Sequence, residues 1–556
     1  MLAYQTRCLP FDARHRAHSR GVLVYSRVLC NTDSTHDAGG VEAELADDKE
    51  RRPSTMRFDR YTTPHLPSAI ERVGAALREW PAIIQGGMGI AISHWPLARA
   101  VSLAGQLGVV SGTSIDTVLL RRLQDGDVGG HMRRALAASP WPDLAEQVIS
   151  RYFRPDGRKP NQPYLRLPLW TLDSNRWQET LAMLGGFVEV WLAKSSHAGR
   201  VGINLLTKVA LPNLAVLYGA MQANVDVVLM GAGIPREIPG ALDRLAAHEP
   251  ATLRCEVAGM PWAESPLIRF DPRSYASAPQ APLRRPAFFP IIASLSLALL
   301  MAKKSSGRIQ GFVIEGPTAG GHNAPPRGPK RCDAAGQPVY DERDAVDLEA
   351  VAALGYPFWL AGGFGSPDAL DAALAQGAAG IQVGTLFAYC AESGMTMDLK
   401  KKAMAAVRAD SVSVRTDPDA SPTGYPFKVA DIEGTLSAQT RYEARERVCD
   451  LGYLREAYLS PMGEVGFRCA AEPVNAFVSK GGRVEDTEGR KCLCNGLMAT
   501  AGFAQRQSSG TVESPIVTSG DAIREIRGLL TSGNDSYSAQ DVIDYLTRGR
   551  RRHEEG

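Results

Sequence analysis

From about residue 81 onward, short apolar runs alternate with stretches of helical periodicity. Because the runs are short and are closed by small or polar residues, they predict buried strands rather than helices. Eight strands are predicted in this way: Ala82–Gln85, Gly108–Ser111, Val201–Leu205, Val225–Met230, Phe288–Ala293, Gly311–Glu315, Pro357–Ala361 and Gly380–Val383. The spacing predicts helices over Leu97–Gln106, Leu211–Ala223, Ile238–His248, Leu295–Lys304, Ala345–Leu354, Pro367–Gln376 and Met397–Arg408. This alternation indicates βα units and an α/β fold, and it favours a closed TIM (β/α)8 barrel over an open doubly wound sheet.

Two insertions interrupt the alternation. The first, at about 125–200, carries helical patterns at Leu144–Phe153 and Trp177–Lys194. The second, at about 250–286, contains the runs Thr252–Val257 and Leu267–Phe270. Turn-forming residues separate these two runs, so we expect them to form a hairpin that is inserted before the fifth barrel strand.

The two ends of the chain differ in texture from the predicted barrel domain at 56–408. Residues 409–556 lose the alternation and are predicted to form a C-terminal extension that packs on the barrel. Residues 1–55 are predicted to be a disordered leader. The arginines of the first 31 residues are also typical of a transit peptide, and Met56 is an alternative start.

Composition narrows the class of protein. Hydrophobic residues make up 44% of the chain and charged residues 22%, which is typical of a globular protein. The 62 basic and 60 acidic residues give a net charge of +2, so no global basic field favours nucleic acid or a membrane as partner. Nine cysteines, sparse and odd in number, indicate reduced thiols and a cytoplasmic protein. The uncharged run Pro286–Ala302 is too short and too interrupted for a membrane span, and it predicts a strand followed by a helix.

Candidate binding residues follow the first and third predicted strands. Gly86, Gly87 and Met88 come after strand one. Backbone without a Cβ lets a flat ligand approach closely, although the same residues would also suit a plain tight turn. Asn204 ends strand three, where its amide can donate to and accept from a ligand edge or can bond its own loop.

Glycines also follow the last two predicted strands. Gly362 and Gly363 come after strand seven, and Gly384 and Thr385 come after strand eight. In TIM barrels the backbone amides of these two loops commonly hold a phosphate group. The sequence therefore predicts a phosphate site that is made by backbone N–H groups rather than by a basic cluster.

One histidine is placed at the mouth of the predicted barrel. His322 follows Gly320 and Gly321 in the loop after strand six. A histidine beside a ligand-binding loop suits a general base or hydrogen-bond donor near neutral pH, and a surface histidine in a turn is the alternative.

Four of the nine cysteines, Cys449, Cys469, Cys492 and Cys494, lie in the C-terminal part of the chain. Four thiolates suit a structural Zn²⁺. The spacing departs from the usual zinc knuckle, however, and buried free thiols are the alternative. No metal is expected elsewhere.

These motifs in combination resemble the nitronate monooxygenase (2-nitropropane dioxygenase) family. The resemblance rests on Gly-Gly-Met at 86–88, Gly-Pro-Thr-Ala-Gly-Gly-His at 316–322, Gly-Gly-Phe-Gly at 362–365 and Val-Gly-Thr at 383–385. It covers about residues 80–395. The family includes flavin-dependent enoyl-ACP reductases and the enoyl reductases of polyunsaturated fatty acid and polyketide synthases. The resemblance implies a TIM barrel that binds FMN noncovalently.

The resemblance also implies residue roles. The flavin ring would be lined by Gly86, Gly87 and Met88, with Asn204 near its polar edge. The ribityl phosphate side would be reached by Gly320, Gly321, Gly362, Gly363, Gly384 and Thr385. His322 would match the catalytic histidine. Thr318 stands where many members carry Glu, and residues 323–328 also differ, so the resemblance leaves the substrate pocket open.

The resemblance favours an FMN-dependent nitronate monooxygenase that oxidises nitronates or nitroalkanes with O2 to carbonyl compounds and nitrite. His322 would then remove the α-proton of a nitroalkane or bind the anionic nitronate. The alternative is an NAD(P)H-dependent flavin enoyl-thioester reductase of lipid or polyketide synthesis. A third interpretation is a barrel that binds flavin without turnover and docks a protein through its insertions. We expect a small-molecule substrate with O2 or NAD(P)H, and a homodimer is left open.

Overall fold

The computed structural model describes residues 80–173, 175–275, 281–530 and 535–548. The predicted leader at 1–55 lies outside these ranges. The strands are β1 Ile83–Gln85, β2 Gly108–Ser111, β3 Val201–Leu206, β4 Val227–Gly231, β5 Ala251–Arg254, β6 Val257–Ala258, β7 Leu267–Phe270, β8 Ala287–Ile292, β9 Phe312–Glu315, β10 Phe358–Ala361, β11 Gly380–Val383, β12 Val414–Asp417, β13 Phe427–Ala430, β14 Glu456–Leu459 and β15 Val465–Arg468.

The α-helices are α1 Trp95–Leu103, α2 Ile115–Gln124, α3 His131–Ala137, α4 Pro142–Tyr152, α5 Arg176–Lys194, α6 Ala210–Gln222, α7 Ile238–Ala246, α8 Leu295–Lys304, α9 Leu348–Ala352, α10 Ala369–Ala375, α11 Thr385–Ala388, α12 Met397–Arg408, α13 Gln439–Ala444, α14 Val474–Ser479, α15 Leu493–Thr500 and α16 Ala539–Leu546. Short 3₁₀ segments add Val128–Gly130, Trp262–Glu264, Pro272–Tyr275, Glu342–Asp344, Val484–Thr487 and Asp521–Leu529. Among these described residues, no helix combines the length and the apolar character that crossing a membrane requires.

Eight parallel strands form one sheet in the order β1-β11-β10-β9-β8-β4-β3-β2. The sheet closes between its two outer strands through a parallel bridge from Ile84 to Leu107. There Gln85 N donates to Leu107 O at 3.0 Å, and Leu107 N donates to Ile83 O at 3.1 Å. The predicted TIM (β/α)8 barrel is therefore confirmed.

Alternating residues of the strands fill the inside of the barrel. The inward layer is a separate apolar cluster whose buried members include Ile84, Val109, Leu229, Phe289, Val313 and Trp359. The rings of Phe289 and Trp359 stack with their centroids 4.9 Å apart. Because each such side chain contributes about 1.5–3 kcal/mol when it is fully buried, this layer makes the barrel a packed core rather than a pore.

The long helix α5 belongs to the outer ring of the barrel. It falls within the predicted insertion at about 125–200, but it packs along α6 and leads directly into β3. The contact is close because glycines face backbone: a Cβ on Gly186 would lie 2.4 Å from Val216 O, and one on Gly219 would lie 1.8 Å from Met183 O. Asn175 caps the helix by accepting from Gln178 N at 3.0 Å, which fixes where it begins.

The predicted hairpin before the fifth barrel strand is present, with one difference. β5 pairs antiparallel with β7, as expected. The apolar run Thr252–Val257, however, is not one strand. It divides at Cys255, whose N–H donates to Pro266 O at 2.9 Å. Val257 and Ala258 then form β6, which pairs with β14 of the C-terminal extension.

The C-terminal extension packs on the barrel and brings two small sheets of its own. β12 and β13 form an antiparallel pair, and β14 and β15 form another. The extension touches the barrel helices through Arg527, which donates to Val407 O at 2.9 Å. It also closes over the carboxyl ends of the barrel strands, where the candidate site lies.

Candidate active site

A cavity of about 240 Å³ lies at the carboxyl ends of the barrel strands. Its wall includes every residue that the sequence analysis names for ligand and catalysis: Gly86, Gly87, Met88, Asn204, Gly320, Gly321, His322, Gly362, Gly363, Gly384 and Thr385. Asn204 lies within β3, and the other residues follow β1, β9, β10 and β11, strands that are far apart in sequence. The fold therefore brings all of them together around one space, which is where TIM barrels carry their active sites.

Packing explains why glycine stands at position 87. A Cβ there would lie 2.2 Å from the Cβ of Asn204. Asn204 Nδ2 also donates to Gly87 O at 3.0 Å. The loop after β1 and the end of β3 are thus locked together, and Asn204 is held in one position at the cavity wall.

The loop after β10 needs glycine for its backbone conformation. Gly362 has φ +87° and Gly363 has φ +82°, in the left-handed region that favours glycine. A Cβ on Gly362 would also lie 2.9 Å from Gly316 O. Gly384 differs, because among the described residues only Met88 would come within 4 Å of a Cβ there, with its Sδ at 3.5 Å. Space beside the Gly384 backbone is therefore free for a ligand.

Two of the predicted phosphate-side glycines contact the C-terminal extension. A Cβ on Gly320 would lie 2.8 Å from Gly520 N. Gly321 N donates to Thr518 Oγ1 at 2.8 Å, and Gly520 N donates to Thr385 Oγ1 at 2.9 Å. The segment around residue 520 therefore forms the part of the cavity wall that lies beside the predicted phosphate-binding glycines.

Several polar atoms of the cavity wall lack a partner within the described part of the chain. The Ser114 hydroxyl and Gln382 Oε1 are buried and make no hydrogen bond there. An unsatisfied buried polar atom costs about 1–3 kcal/mol. These two atoms are the kind of groups that a polar ligand would satisfy.

His322 is held at the cavity wall by the C-terminal extension. Its Nε2 lies 2.7 Å from Ser421 Oγ, and its ring meets Phe427 edge-on with centroids 5.0 Å apart. Burial, with a smaller contribution from the cation of Lys208, lowers the pKa of His322 to about 4. The imidazole is therefore neutral near pH 7, and its pKa lies below the range that the sequence analysis expects for a general base.

The C-terminal extension supplies an apolar upper wall that the sequence analysis missed. It contributes Phe427, Tyr453, Leu454, Leu493, Cys494 and Leu497, and the barrel side adds Ile90, Ile92 and Met395. No motif marks these positions. The only sequence signal is the expectation that residues 409–556 pack on the barrel.

The four C-terminal cysteines also come together. Cys449, Cys469, Cys492 and Cys494 line one small cavity of about 10 Å³, and all four are free thiols. Burial raises the pKa of Cys492 to about 11, so this thiol is protonated near pH 7. Among the described residues, no group of three or more His, Cys, Asp or Glu side chains is placed to hold a metal ion. Zinc binding by these cysteines stays a prediction, and their geometry does not favour it.

Solved structures with a similar fold include enzymes of two kinds. FabK from Thermotoga maritima is 17% identical, with a TM-score of 0.43, and the match covers 87% of this chain and 97% of that one. Nitroalkane oxidase from Streptomyces ansochromogenes is 15% identical, with a TM-score of 0.40, covering 86% and 100%. The enoyl reductase domain of MlnA from Bacillus amyloliquefaciens is 11% identical, with a TM-score of 0.43, covering 85% and 96%. At this level of likeness these structures carry nothing about the substrate of this chain.

Among sequences, no curated protein matches the chain. The family model for nitronate monooxygenase matches residues 285–423. This region runs from β8 through β12, and it contains His322 and the glycine loops after β10 and β11. The resemblance that these motifs indicate is thereby confirmed over residues 285–423, and this similarity to nitronate monooxygenase supports a flavin-dependent oxidoreductase.

Proposed function

We propose that the protein is an FMN-dependent enoyl-thioester reductase that takes its electrons from NAD(P)H. The observation that carries this proposal is the apolar wall that the C-terminal extension builds above the glycine loops. A short nitronate has no use for such a wall, whereas an acyl chain can bury against Phe427, Leu493 and Leu497. Burial of apolar area of this kind is worth roughly 25 cal/mol per Å².

The cavity fits FMN by its chemistry. The left-handed glycines Gly362 and Gly363 and the open side of Gly384 leave backbone exposed to a phosphate, and the short helix α11 begins at Thr385. The unpartnered atoms of Ser114 and Gln382 suit the polar edge of a flavin ring. When it is bound, the flavin supplies two-electron transfer between NAD(P)H and substrate.

The protein residues then divide the remaining work. The glycine loops bind and orient the cofactor, and the apolar wall excludes water and holds the acyl chain. The neutral imidazole of His322 acts as a hydrogen-bond partner for the thioester carbonyl, a role in which a neutral ring polarises a carbonyl without giving up its proton. Ser421 fixes the ring in place through its 2.7 Å contact.

Oxidation of nitronates with O2 is the second candidate, and the family model favours it by name. The low pKa of His322 weighs against one version of this chemistry. A base whose conjugate acid has a pKa of about 4 is poorly matched to remove the α-proton of a neutral nitroalkane near pH 7. Pre-formed nitronates avoid this step, so they are the proper substrates for testing the second candidate.

Anaerobic stopped-flow mixing separates the two candidates. NADPH should bleach the flavin absorbance, and a 2-enoyl thioester should restore it at a rate that rises with acyl chain length. Leu497→Ser should reduce this dependence on chain length. Val512→Ser should not, because Val512 is 45% exposed and does not line the cavity. Flavin reduction by a nitronate, with no reoxidation by any enoyl thioester, would replace the proposal by the second candidate.

A further inference from the structure

The carboxylate of Glu315, at the mouth of the barrel, has no role in the proposed function so far. Glu315 is the last residue of β9, in the same inward register as Val313 of the barrel interior. It lies level with Ala361 of β10, and Ala361 lies level with Gln382 of β11. Glu315 therefore lies in the inward layer nearest the carboxyl ends of the strands, and it lines the cavity of the candidate active site.

Glu315 also lines a second cavity. This space of about 110 Å³ lies between the ends of β8 and β9, the start of α8 and the loop at 324–344. Its outer wall includes the exposed residues Ala324, Pro325 and Arg327, so it reaches solvent. Glu315 thus lines both the cavity of the candidate active site and a cavity that opens to water.

No partner neutralises this carboxylate within the described part of the chain, where Glu315 makes neither a hydrogen bond nor an ion pair. The other titratable groups that line the two cavities are His322, Tyr453, Cys494, Arg327, Tyr340 and Asp344. Arg327, the cation among the described residues that line the second cavity, donates instead to Ala293 O and to Arg343 O. Burial without compensation raises the pKa of Glu315 to about 7.

We propose that Glu315 is the proton donor of the reaction and that the second cavity returns a proton to it from solvent. This proposal rests on the proposed function, because the group that accepts the proton is the α-carbon of an enoyl thioester. With a flavin bound, NAD(P)H would supply the two electrons and the one hydrogen that the β-carbon gains as the C=C π bond of the substrate breaks. The O–H bond of Glu315 breaks, a C–H bond forms at the α-carbon, and the carboxylate regains its proton from water in the second cavity.

This assignment leaves each group with the task that its surroundings permit. His322 is neutral near pH 7 and holds a carbonyl better than it releases a proton. Glu315 is a carboxylic acid whose proton is both available and replaceable near neutral pH, which is the condition for an effective general acid.

Three variants of the holoenzyme test the proposal. Glu315→Gln keeps the size of the side chain and removes the titratable proton. Glu315→Asp keeps a carboxyl group. Glu342→Gln is the matched control, since Glu342 is exposed on the loop beside the second cavity and lines neither cavity.

Two measurements decide the outcome. Infrared difference spectra between acid and alkaline pH should show a carboxylic acid C=O band that disappears near pH 7 in the wild type and in Glu342→Gln. Glu315→Asp should still show a titrating carboxylic acid band, and Glu315→Gln should show none. Reoxidation of the reduced enzyme by enoyl thioester should slow above pH 7 in the wild type. In Glu315→Gln it should be about 100-fold slower and independent of pH, with flavin reduction by NADPH unchanged.

Unchanged reoxidation rates and an unchanged pH profile in Glu315→Gln would overturn the proposal while the proposed function stood. If the wild type is not reoxidised by any enoyl thioester, the proposed function fails separately. In that case the carboxylic acid band of Glu315 is followed while the cofactor is reduced chemically with dithionite, to test whether Glu315 gives up its proton. A change in the band supports proton transfer from Glu315, and a static band overturns it.

Discussion

At the scale of single residues, burial shifts the pKa values of His322 and Glu315 in opposite directions. Desolvation disfavours the charged form of each group, so it lowers the pKa of the imidazole and raises that of the carboxyl. Both groups are therefore predominantly uncharged at moderately acid to neutral pH. The cavity is then a weakly charged space between apolar walls, which suits an uncharged reacting centre.

Replacement of His322 by alanine should separate cofactor binding from turnover. We expect His322→Ala to retain the flavin, because the glycine loops that would hold it are untouched. Reoxidation by enoyl thioester should fall by about 10²–10⁴, the usual contribution of a positioned polar catalyst, and reduction by NADPH should change little. Ser421→Ala, which removes only the 2.7 Å partner of the ring, should cause a smaller loss. Loss of bound flavin in His322→Ala would instead assign this histidine a structural role.

The raised pKa of Glu315 also predicts a dependence of stability on pH. Its pKa rises from about 4.5 to about 7 on folding, so between these values the folded protein holds more protons than the unfolded one. The free energy of unfolding should therefore fall as pH rises through this window, by about 3 kcal/mol at most. His322 acts in the opposite sense between pH 4 and 6.5.

Urea unfolding of the wild type and Glu315→Gln at a series of pH values isolates the contribution of Glu315. The variant should lack this loss and should gain stability relative to the wild type as pH rises from 4.5 to 7. A constant difference between the two proteins across this range would show that Glu315 is ordinarily solvated.

At the scale of elements, close glycine contacts set how α5 lies against α6. Helix propensity alone predicts that alanine at an interior helical glycine stabilises a protein. Gly219→Ala should do the reverse, since its Cβ would lie 1.8 Å from Met183 O. We expect a loss of about 3 kcal/mol by denaturant unfolding.

Gly105→Ala is the control for this effect, because Gly105 has φ +77° and no atom of the described part of the chain lies within 4 Å of an added Cβ. It should lose only the 1–2 kcal/mol of left-handed strain, as an order of magnitude. Equal losses in the two variants would contradict the packing account.

The barrel elements could be predicted because their apolar patterns are regular. The run Gly380–Val383 and the helix Met397–Arg408 are examples, since both have the bounds that the sequence predicts. Helix α2 was not predicted, because it buries Asp116 and Gln124 on the face where apolar residues would mark a helix. Asp116 is tolerated there because Trp170 donates to it at 3.1 Å. Trp170 lies 54 residues from Asp116, so a local sequence pattern cannot predict this contact.

At the scale of the whole molecule, the glycine loops and His322 could be located from the sequence because each follows a strand that ends at the same mouth of the barrel. The upper wall could not. Phe427, Leu454 and Leu497 come from segments without a repeating pattern, and only tertiary packing brings them over the cavity. The part of the site that carries the motifs is thus separate from the part that would select the substrate.

The central claim is that this cavity binds FMN at the barrel mouth. The most direct measurement is a titration of apoprotein with FMN, followed by flavin fluorescence, for the wild type, Gly384→Ala and Gly377→Ala. Gly384→Ala should weaken binding by about 10-fold or more, because its methyl group enters space left free for the ligand. Gly377→Ala, at the opposite end of β11, should bind as the wild type does. Saturable FMN binding with this order of affinities is the predicted result, and absence of FMN binding by the wild type, or equal affinity in all three proteins, would contradict the account.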